Sequence, residues 1–357
     1  PQPSGNAGTH GRTPMTLLLT GSDEIVHGIL GAMRYVSTAG ATRPFEGEEA
    51  RLVTAMAKTF DSARADLSIG GPILEATGVW SQGDFALSEL CAALPDERSR
   101  HEAMVAATLC VLFSEEFDLA GEQALSEMAD AFGVDQEAAG IIKDLSDSSA
   151  SVAGSDMFRR FLAERAEDSL EVISARLERM EEPLITPPDV IADYLNVLDT
   201  APEGSVGAEL VRFYRHTGYG VPGSAGTPPL EVLGNHDLHH VLAGYGTSNV
   251  DEVNVAMFTA ANSTDGGLYY LAVILLQWHH DVKVSPFAPS HCLLDPDAVA
   301  TAASRGVLTE RDISDRSWDW KAHLHENLQE VRRELGVAPG GTVGDGGAWD
   351  ARGRGDS

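Results

Sequence analysis

The spacing of its apolar residues is the feature that most restricts the fold of this chain. Apolar side chains recur every three or four positions along much of the sequence, whereas strict alternation is hard to find. The longer period places side chains on one face of an α-helix, and β-strands need a period of two. We therefore predict an all-α fold. The clearest stripes are Ile25, Ile29, Met33 and Val36; Leu52, Met56 and Phe60; Met104, Ala107 and Val111; and Leu125, Met128 and Phe132.

The length of the chain predicts more than one hydrophobic core. Single cores stop growing at roughly 250 to 300 residues, and this chain has 357. The best linker candidate is the serine-rich stretch at residues 144–155, which has no apolar periodicity. We predict two helical domains joined by this serine-rich linker, over residues 15–150 and 155–337. A disordered leader at 1–14 and a glycine-rich, disordered tail at 338–357 are expected to flank them.

Charge and cysteine content restrict the partners and the compartment that suit the chain. Its 54 acidic residues outnumber 25 basic ones, and the formal net charge of -29 repels the phosphates of nucleic acids. We therefore expect no nucleic-acid partner. Cys91, Cys110 and Cys292 are far apart and have apolar neighbours, which indicates buried reduced thiols rather than disulfides.

The sequence contains no candidate for a membrane-spanning helix, which needs about 20 apolar residues. The best apolar run, residues 267–278, is too short and is typical of a buried helix. Residues 1–14 lack the basic start and the apolar centre of a secretory signal. We expect a cytoplasmic protein, either free or in peripheral contact with a membrane.

Two stretches of the N-terminal half resemble each other. Residues 31–60 and 103–132 each run as an alanine-rich apolar helix, an acidic link and a second amphipathic helix. This pattern resembles the tellurite-resistance TerB-like helical domain over residues 15–150, and the resemblance implies acidic loops that hold a metal. Alternatively, the same acids are helix N-terminal charges favoured by the helix dipole. The positions concerned are Glu46, Glu48, Glu49, Glu115, Glu116 and Asp118.

One segment of the C-terminal half combines residue types and spacing that suggest a reaction centre. His236 and His240 are four residues apart, so two imidazoles lie one turn apart on a helix face and can bind one cation. Asp237 can add a carboxylate, and Glu252 follows His240 by twelve residues, past a glycine-containing turn. Mixed nitrogen and oxygen ligands suit zinc or another divalent first-row transition metal. A histidine pair at this spacing also occurs at surface or core positions that bind no metal.

This segment resembles the coenzyme Q biosynthesis protein 4 family. The family signature is His-Asp-x-x-His, eleven residues and then Glu, and the chain matches it at every fixed position. Before the motif the similarity is recognisable from residue 201, and after it the similarity reaches a closing amphipathic helix at 315–337. In all it covers residues 155–337. The matching positions are His236, Asp237, His240 and Glu252.

The resemblance implies an all-helical domain in which those four side chains bind a divalent metal beside a long hydrophobic quinone precursor. The associated step in the family is an oxidative decarboxylation, in which a hydroxyl replaces the ring carboxylate of a prenylated hydroxybenzoate-type acid. We therefore expect a metal-dependent enzyme of ubiquinone or related prenylated-aromatic biosynthesis. Its expected partners are a prenylated aromatic or quinone-like ligand and either further copies of the chain or a biosynthetic complex.

Two alternatives to this function remain. The chain can instead be a lipid-binding scaffold without turnover, a role also attributed to the family. It can also be a tailoring enzyme that acts on another, soluble aromatic acid. The scaffold could bind the metal structurally, whereas either enzyme needs an exchangeable coordination position.

Three further residues are candidate substrate contacts. Arg212 and Arg215 precede a glycine turn, and a guanidinium can bind a carboxylate through two hydrogen bonds; both also suit salt bridges on an acidic surface. His280, which precedes Asp281, can relay a proton near the metal or lie at a helix C-terminus without a catalytic role. The apolar side chains of residues 267–278 either line a channel for an isoprenoid tail or form ordinary core.

Overall fold

A computed structural model of the chain is all-α over the residues that it describes. Those residues form thirteen α-helices and one 3-10 helix, and they contain no β-strand. The predicted fold class is confirmed. The described residues are 15–70, 85–114, 119–134, 186–225, 227, 230–264, 267–282, 294–315 and 317–343.

Several sequence predictions lie outside the described residues. They are the leader at 1–14, the serine-rich linker at 144–155, Cys292, and the part of the tail from residue 344 onward. The division into two domains across that linker therefore stays a prediction. Cys91 and Cys110 are free thiols, as predicted; Cys110 is buried, whereas Cys91 is partly exposed and the prediction of burial is wrong for it.

The N-terminal helices form where the apolar stripes predict them. All four stripes lie on helices and face the core: Ile29, Leu52 and Leu125 have no exposed surface. Gly133 ends the last of these helices with a φ of +62°, the left-handed conformation expected of a helix-terminating glycine. The six helices are α1 Thr16–Thr20, α2 Asp23–Ser37, α3 Gly47–Asp66, α4 Leu87–Ala93, α5 Glu97–Leu112 and α6 Leu119–Phe132.

A buried arginine joins the first three helices. Arg64 on α3 is 1% exposed, and its Nη1 donates hydrogen bonds to the carbonyl oxygens of Leu19 and Gly21 at 3.0 and 2.7 Å. Its Nη2 lies 2.6 Å from Asp23 Oδ1 at the start of α2. These bonds satisfy carbonyl groups at the end of α1 that would otherwise be buried without a partner.

The C-terminal helices agree with the sequence except near the end of the chain. The predicted apolar helix at residues 267–278 is present with those bounds. The predicted closing helix at 315–337 is shorter than expected, because the Asn327 side chain caps a helix that begins only at Leu328. The elements are α7 Pro188–Asp199, α8 Val206–Thr217, α9 Leu230–Ala243, α10 Asn249–Asn262, α11 Gly267–Trp278, α12 Pro296–Leu308, the 3-10 helix Trp320–His323 and α13 Leu328–Glu334.

Helices of the two halves of the chain pack directly against each other. α12 lies between α10 and α3, and its Gly306 allows a close approach, since an added Cβ would come within 2.3 Å of the Phe258 carbonyl oxygen. Beyond the end of α11, the Nε2 atoms of His279 and His280 lie 3.1 and 2.9 Å from carbonyl oxygens at the end of α5. The helices that carry the candidate site therefore rest on the N-terminal helices.

The apolar helix α11 contributes to the core. Leu271 and Leu275 are each 1% exposed and Ile274 is 8% exposed, as the core interpretation expects. None of the described helices combines the length and the apolar composition that crossing a membrane requires.

The contacts of Arg64 predict a large loss of stability when its guanidinium is removed. Arg64→Met should lower the free energy of unfolding, measured by urea denaturation, by about 3 kcal/mol, because it leaves buried carbonyl groups unpaired. Arg51→Met is the matched control on the same helix: its side chain is 71% exposed, and its loss should cost less than about 1 kcal/mol. Equal costs in the two variants would contradict this role of Arg64.

Candidate metal centre

A tight turn joins the two helices that carry the predicted ligands. Gly244 follows α9, the helix with both histidines, and its φ of +74° is a left-handed conformation that glycine adopts without strain. The backbone of Gly246 lies against the carboxylate of Asp251, where an added Cβ would come within 2.6 Å of an oxygen. The Ser248 side chain then accepts a hydrogen bond from the Asp251 N–H and caps α10. As a result, Glu252 in the first turn of α10 faces back toward α9.

Three of the four predicted ligands converge. The Nε2 atoms of His236 and His240 are 3.0 Å apart, and Glu252 Oε2 lies 3.4 Å from the first and 3.6 Å from the second. One ligand atom from each residue lies within 4.8 Å of the other two, so the group could hold a metal ion. Within the described part of the chain, no other trio of histidine, cysteine or acidic side chains comes this close.

Each imidazole is also held at its other ring nitrogen. His240 Nδ1 lies 2.9 Å from the carbonyl oxygen of Gly246, so Nδ1 donates a proton there and Nε2 faces the centre of the group. His236 Nδ1 lies 2.8 Å from the hydroxyl of Tyr270 on α11. Hydrogen bonds of this kind fix the tautomer and the ring orientation of metal-binding histidines.

Electrostatic interactions couple the three side chains. Burial opposes the charged form of His240, but the carboxylates of Glu252 and Asp237 and the hydrogen bond to Gly246 together outweigh burial and raise the pKa of the histidine. Burial likewise opposes the charge on Glu252, yet the two imidazoles and their hydrogen bonds lower its pKa. The Glu252 carboxylate thus favours the protonated form of His240, and a divalent cation that binds at Nε2 of this histidine has to displace that proton.

Asp237, the fourth predicted ligand, does not belong to this group. Successive residues of a helix point about 100° apart, so its carboxylate leaves the face that carries His236 and turns toward α8. There its Oδ2 accepts a hydrogen bond of 3.1 Å from the Tyr214 hydroxyl. Burial raises the pKa of Asp237 to about 6, although the imidazoles of His236 and His240 lower it. Asp237 therefore interacts electrostatically with both histidines, but its direct contact is Tyr214.

The group is open to solvent on one side. The side chain of His240 is 1% exposed, whereas His236 is 19% and Glu252 is 12% exposed. Phe213 packs flat against the His240 ring with 5.4 Å between centroids, and the half-exposed Tyr219 meets Phe213 edge-on. This geometry leaves an approach for one more metal ligand, which catalytic zinc sites with three protein ligands require.

The two predicted arginine anchors differ in their surroundings. Arg212 forms ion pairs with Glu209 on its own helix and with Glu203, the latter at 3.6 Å. Arg215 is exposed to solvent. For Arg212, the structure shows salt bridges, which were the alternative to a substrate contact. A carboxylate substrate would therefore have to compete with two acidic residues for its guanidinium.

Two other histidines of this half lie apart from the three ligands. The ring nitrogens of His239 lie 3.0 Å from the Thr259 hydroxyl and 3.2 Å from the Ile313 carbonyl oxygen, so His239 points into the core. His280 contacts the carbonyl oxygen of Leu112 at the end of α5. The predicted proton relay needs His280 beside the metal, and the structure does not bring it into the group of three.

The acidic residues of the N-terminal half lie where a helix begins. Glu46 immediately precedes α3, Glu48 pairs with Arg51 at 2.8 Å, and Glu49 pairs with Arg43 at 3.3 Å. Acidic residues at a helix N-terminus are favoured by the helix dipole without any metal. The remaining positions of this prediction lie outside the described residues: Glu115, Glu116 and Asp118.

Sequence reasoning did not identify the residues that support the two imidazoles. Tyr270 and Gly246 contact the outer nitrogens of the two rings. In the sequence, however, Tyr270 belongs to a segment that indicates only an apolar helix, and Gly246 belongs to one that indicates only a turn. The two tyrosine hydroxyls in an otherwise largely apolar helix are the one signal that could have pointed to Tyr270, and they do not distinguish it from Tyr269.

Comparisons with known proteins add no family assignment. No protein-family model matches the chain, and no curated protein matches it.

The geometry predicts different roles for the two carboxylates of the motif. Glu252→Gln keeps the volume of the side chain and should lower zinc affinity by about 100-fold or more, with unchanged helical circular dichroism. Asp237→Asn is the matched control. It should lower zinc affinity by less than about tenfold, since the Asp237 carboxylate contacts Tyr214. Competition with a chromophoric chelator measures both. Equal losses would place Asp237 among the ligands, and no loss in either variant would contradict the metal centre.

The raised pKa of His240 predicts that metal binding depends on pH. Below that pKa the imidazole carries a proton that the metal must displace, so zinc affinity should rise with pH through neutrality and level off above the pKa. Calorimetric titrations in two buffers of different ionisation enthalpy should show about one proton released per zinc at mildly acidic pH. An affinity that stays constant between about pH 5 and pH 8 would contradict this prediction.

Proposed function

We propose that the chain is a metal-dependent enzyme of ubiquinone or related prenylated-aromatic biosynthesis. The observation that carries the proposal is the group formed by His236, His240 and Glu252, whose ligand atoms lie within 4.8 Å of one another at the spacing of the coenzyme Q biosynthesis protein 4 signature. These side chains would hold zinc or another first-row transition metal. Three protein ligands leave a position that a substrate oxygen can occupy.

The proposed reaction replaces the ring carboxylate of a prenylated hydroxybenzoate-type acid with a hydroxyl. The bond between the ring carbon and the carboxylate breaks, carbon dioxide leaves, and the ring carbon gains a hydroxyl oxygen from water. This is a two-electron oxidation of the substrate, with dioxygen as the acceptor that is reduced to hydrogen peroxide. A divalent ion supplies Lewis acidity that holds the substrate carboxylate or phenolate and stabilises negative charge on its oxygen.

The residues around the group would orient the ligands and limit the access of water. Gly246 and Tyr270 hold the outer nitrogens of the two histidines, so the ring positions are fixed before a substrate arrives. Phe213 covers the buried face of His240. Tyr219, 50% exposed, offers a ring surface at the open side, where the aromatic ring of the substrate would approach.

A turnover assay tests the proposal. The full chain, loaded in turn with zinc, manganese or iron, is incubated in air with a prenylated 4-hydroxybenzoate labelled with ¹³C at its carboxylate. We expect release of labelled carbon dioxide together with the hydroxylated ring product, detected by mass spectrometry. His240→Ala should reduce turnover to background, because the metal loses a ligand, whereas His216→Ala, which changes an exposed histidine on α8, should not.

The outcomes separate the three functional classes. Unchanged turnover in His240→Ala would contradict catalysis at this centre. Tight metal binding without turnover, with a quinone-like lipid that copurifies, would favour a scaffold, whether at a membrane surface or within a biosynthetic complex. Turnover of an acid without a prenyl chain, and no copurifying lipid, would favour a tailoring enzyme for a soluble substrate.

A further inference from the structure

The chain after the last helix crosses the end of α9. This segment, residues 338–343, is called the strap below, and it forms the start of the stretch that the sequence predicts to be a disordered tail. Arg305 of α12 donates hydrogen bonds to the carbonyl oxygen of Ala338 at 2.9 and 3.1 Å. The same guanidinium donates to the carbonyl oxygen of Ala243, the last residue of α9, at 2.8 Å. Arg305 therefore joins the strap to the helix that carries both histidine ligands.

The strap also binds the backbone of the turn. The N–H groups of Thr342 and Val343 both donate to the carbonyl oxygen of Gly244, at 2.8 and 3.0 Å. Gly341 has a φ of +93°, and an added Cβ would come within 2.2 Å of the Gly244 carbonyl oxygen. Only glycine allows this approach, so the strap has a defined position on the turn.

One hydroxyl of the strap connects two elements of the metal centre. Thr342 Oγ1 accepts a hydrogen bond of 3.0 Å from the N–H of Gly246 and donates one of 2.5 Å to Asp251 Oδ1. The second oxygen of Asp251 accepts a hydrogen bond of 2.7 Å from the Ser248 hydroxyl. The Thr342 hydroxyl thus links the turn to the first residues of α10.

Both elements support a metal ligand. Gly246 accepts the Nδ1 hydrogen bond of His240, and Asp251 immediately precedes Glu252. We propose that Thr342 is a positioning residue of the metal centre, whose hydroxyl holds the Gly246 carbonyl against His240 and the start of α10 beside it. The strap thereby sets metal affinity from outside the ligand group. This inference rests on the metal binding proposed above.

Three variants test the inference. Thr342→Val keeps the shape of the side chain and removes the hydroxyl, and Thr342→Ser keeps the hydroxyl. We expect zinc affinity to fall by about 10- to 100-fold in Thr342→Val, as for other groups that orient metal ligands, and to stay near wild type in Thr342→Ser. Thr309→Val is the control, because it removes a buried hydroxyl whose one hydrogen bond among the described residues is to the Arg305 carbonyl oxygen, at 2.9 Å. It should lower the melting temperature without a change in zinc affinity.

A second measurement separates positioning from stability. In metal-free protein at a pH above the pKa of His240, the ¹⁵N shifts of the histidine rings should show His240 held in one neutral tautomer in wild type and Thr342→Ser. In Thr342→Val the ring should be released from that tautomer. Thr342→Ala serves the same purpose if the valine variant does not fold. Wild-type zinc affinity and wild-type ring shifts in the variants without a hydroxyl would overturn the inference about Thr342 alone. A wild-type protein that binds no zinc would overturn the metal centre itself, and the inference with it.

Discussion

The end of α9 is the point on which the rest of the site depends. The last carbonyl groups of a helix have no partner within that helix, and here they are buried, so distant residues have to supply the donors. Arg332 of α13 donates to the carbonyl oxygens of Val241 and Leu242 at 2.8 and 2.9 Å. Arg305 of α12 donates to that of Ala243. Two guanidinium groups from separate helices therefore fix the helix on which the histidine ligands lie.

Because of these arginines, the position of the site depends on the C-terminal helices α12 and α13 as well as on the motif itself. A positive charge at a helix C-terminus is favoured by the helix dipole, which offsets part of the cost of burying each guanidinium. Arg305 also lies over the rings of Tyr245 and Phe258, at 5.1 and 5.7 Å from their centroids. Because α12 packs against α3 as well as α10, the N-terminal helices support α12 and, through Arg305, the same end of α9.

Local patterns in the sequence were sufficient to predict several of the described helices, although not the start of the last one, and part of the site. Apolar periodicity predicted α2 and α3, and a continuous apolar run predicted α11. The four-residue spacing of the histidines placed both on one helix face. Each of these features depends on residues within a few turns. The same helix geometry directs the Asp237 side chain away from the face of α9 that carries the histidines. The partners of the end of α9 could not be predicted, since Arg332 lies ninety residues beyond Leu242 and only tertiary packing brings them together. The contact between Tyr270 and His236 could not be predicted for the same reason.

Under the proposed function, the number of carboxylates that ligate the metal determines whether the centre can attract an anionic substrate. At a net charge of -29, the chain repels anionic molecules at long range, so a carboxylate substrate needs positive charge at the site itself. Two neutral imidazoles and Glu252 around a divalent ion leave one net positive charge. A second ligating carboxylate would cancel it. Because Asp237 hydrogen-bonds to Tyr214 and lies outside the group of three, a metal bound there would keep the positive charge that the proposed aromatic acid needs.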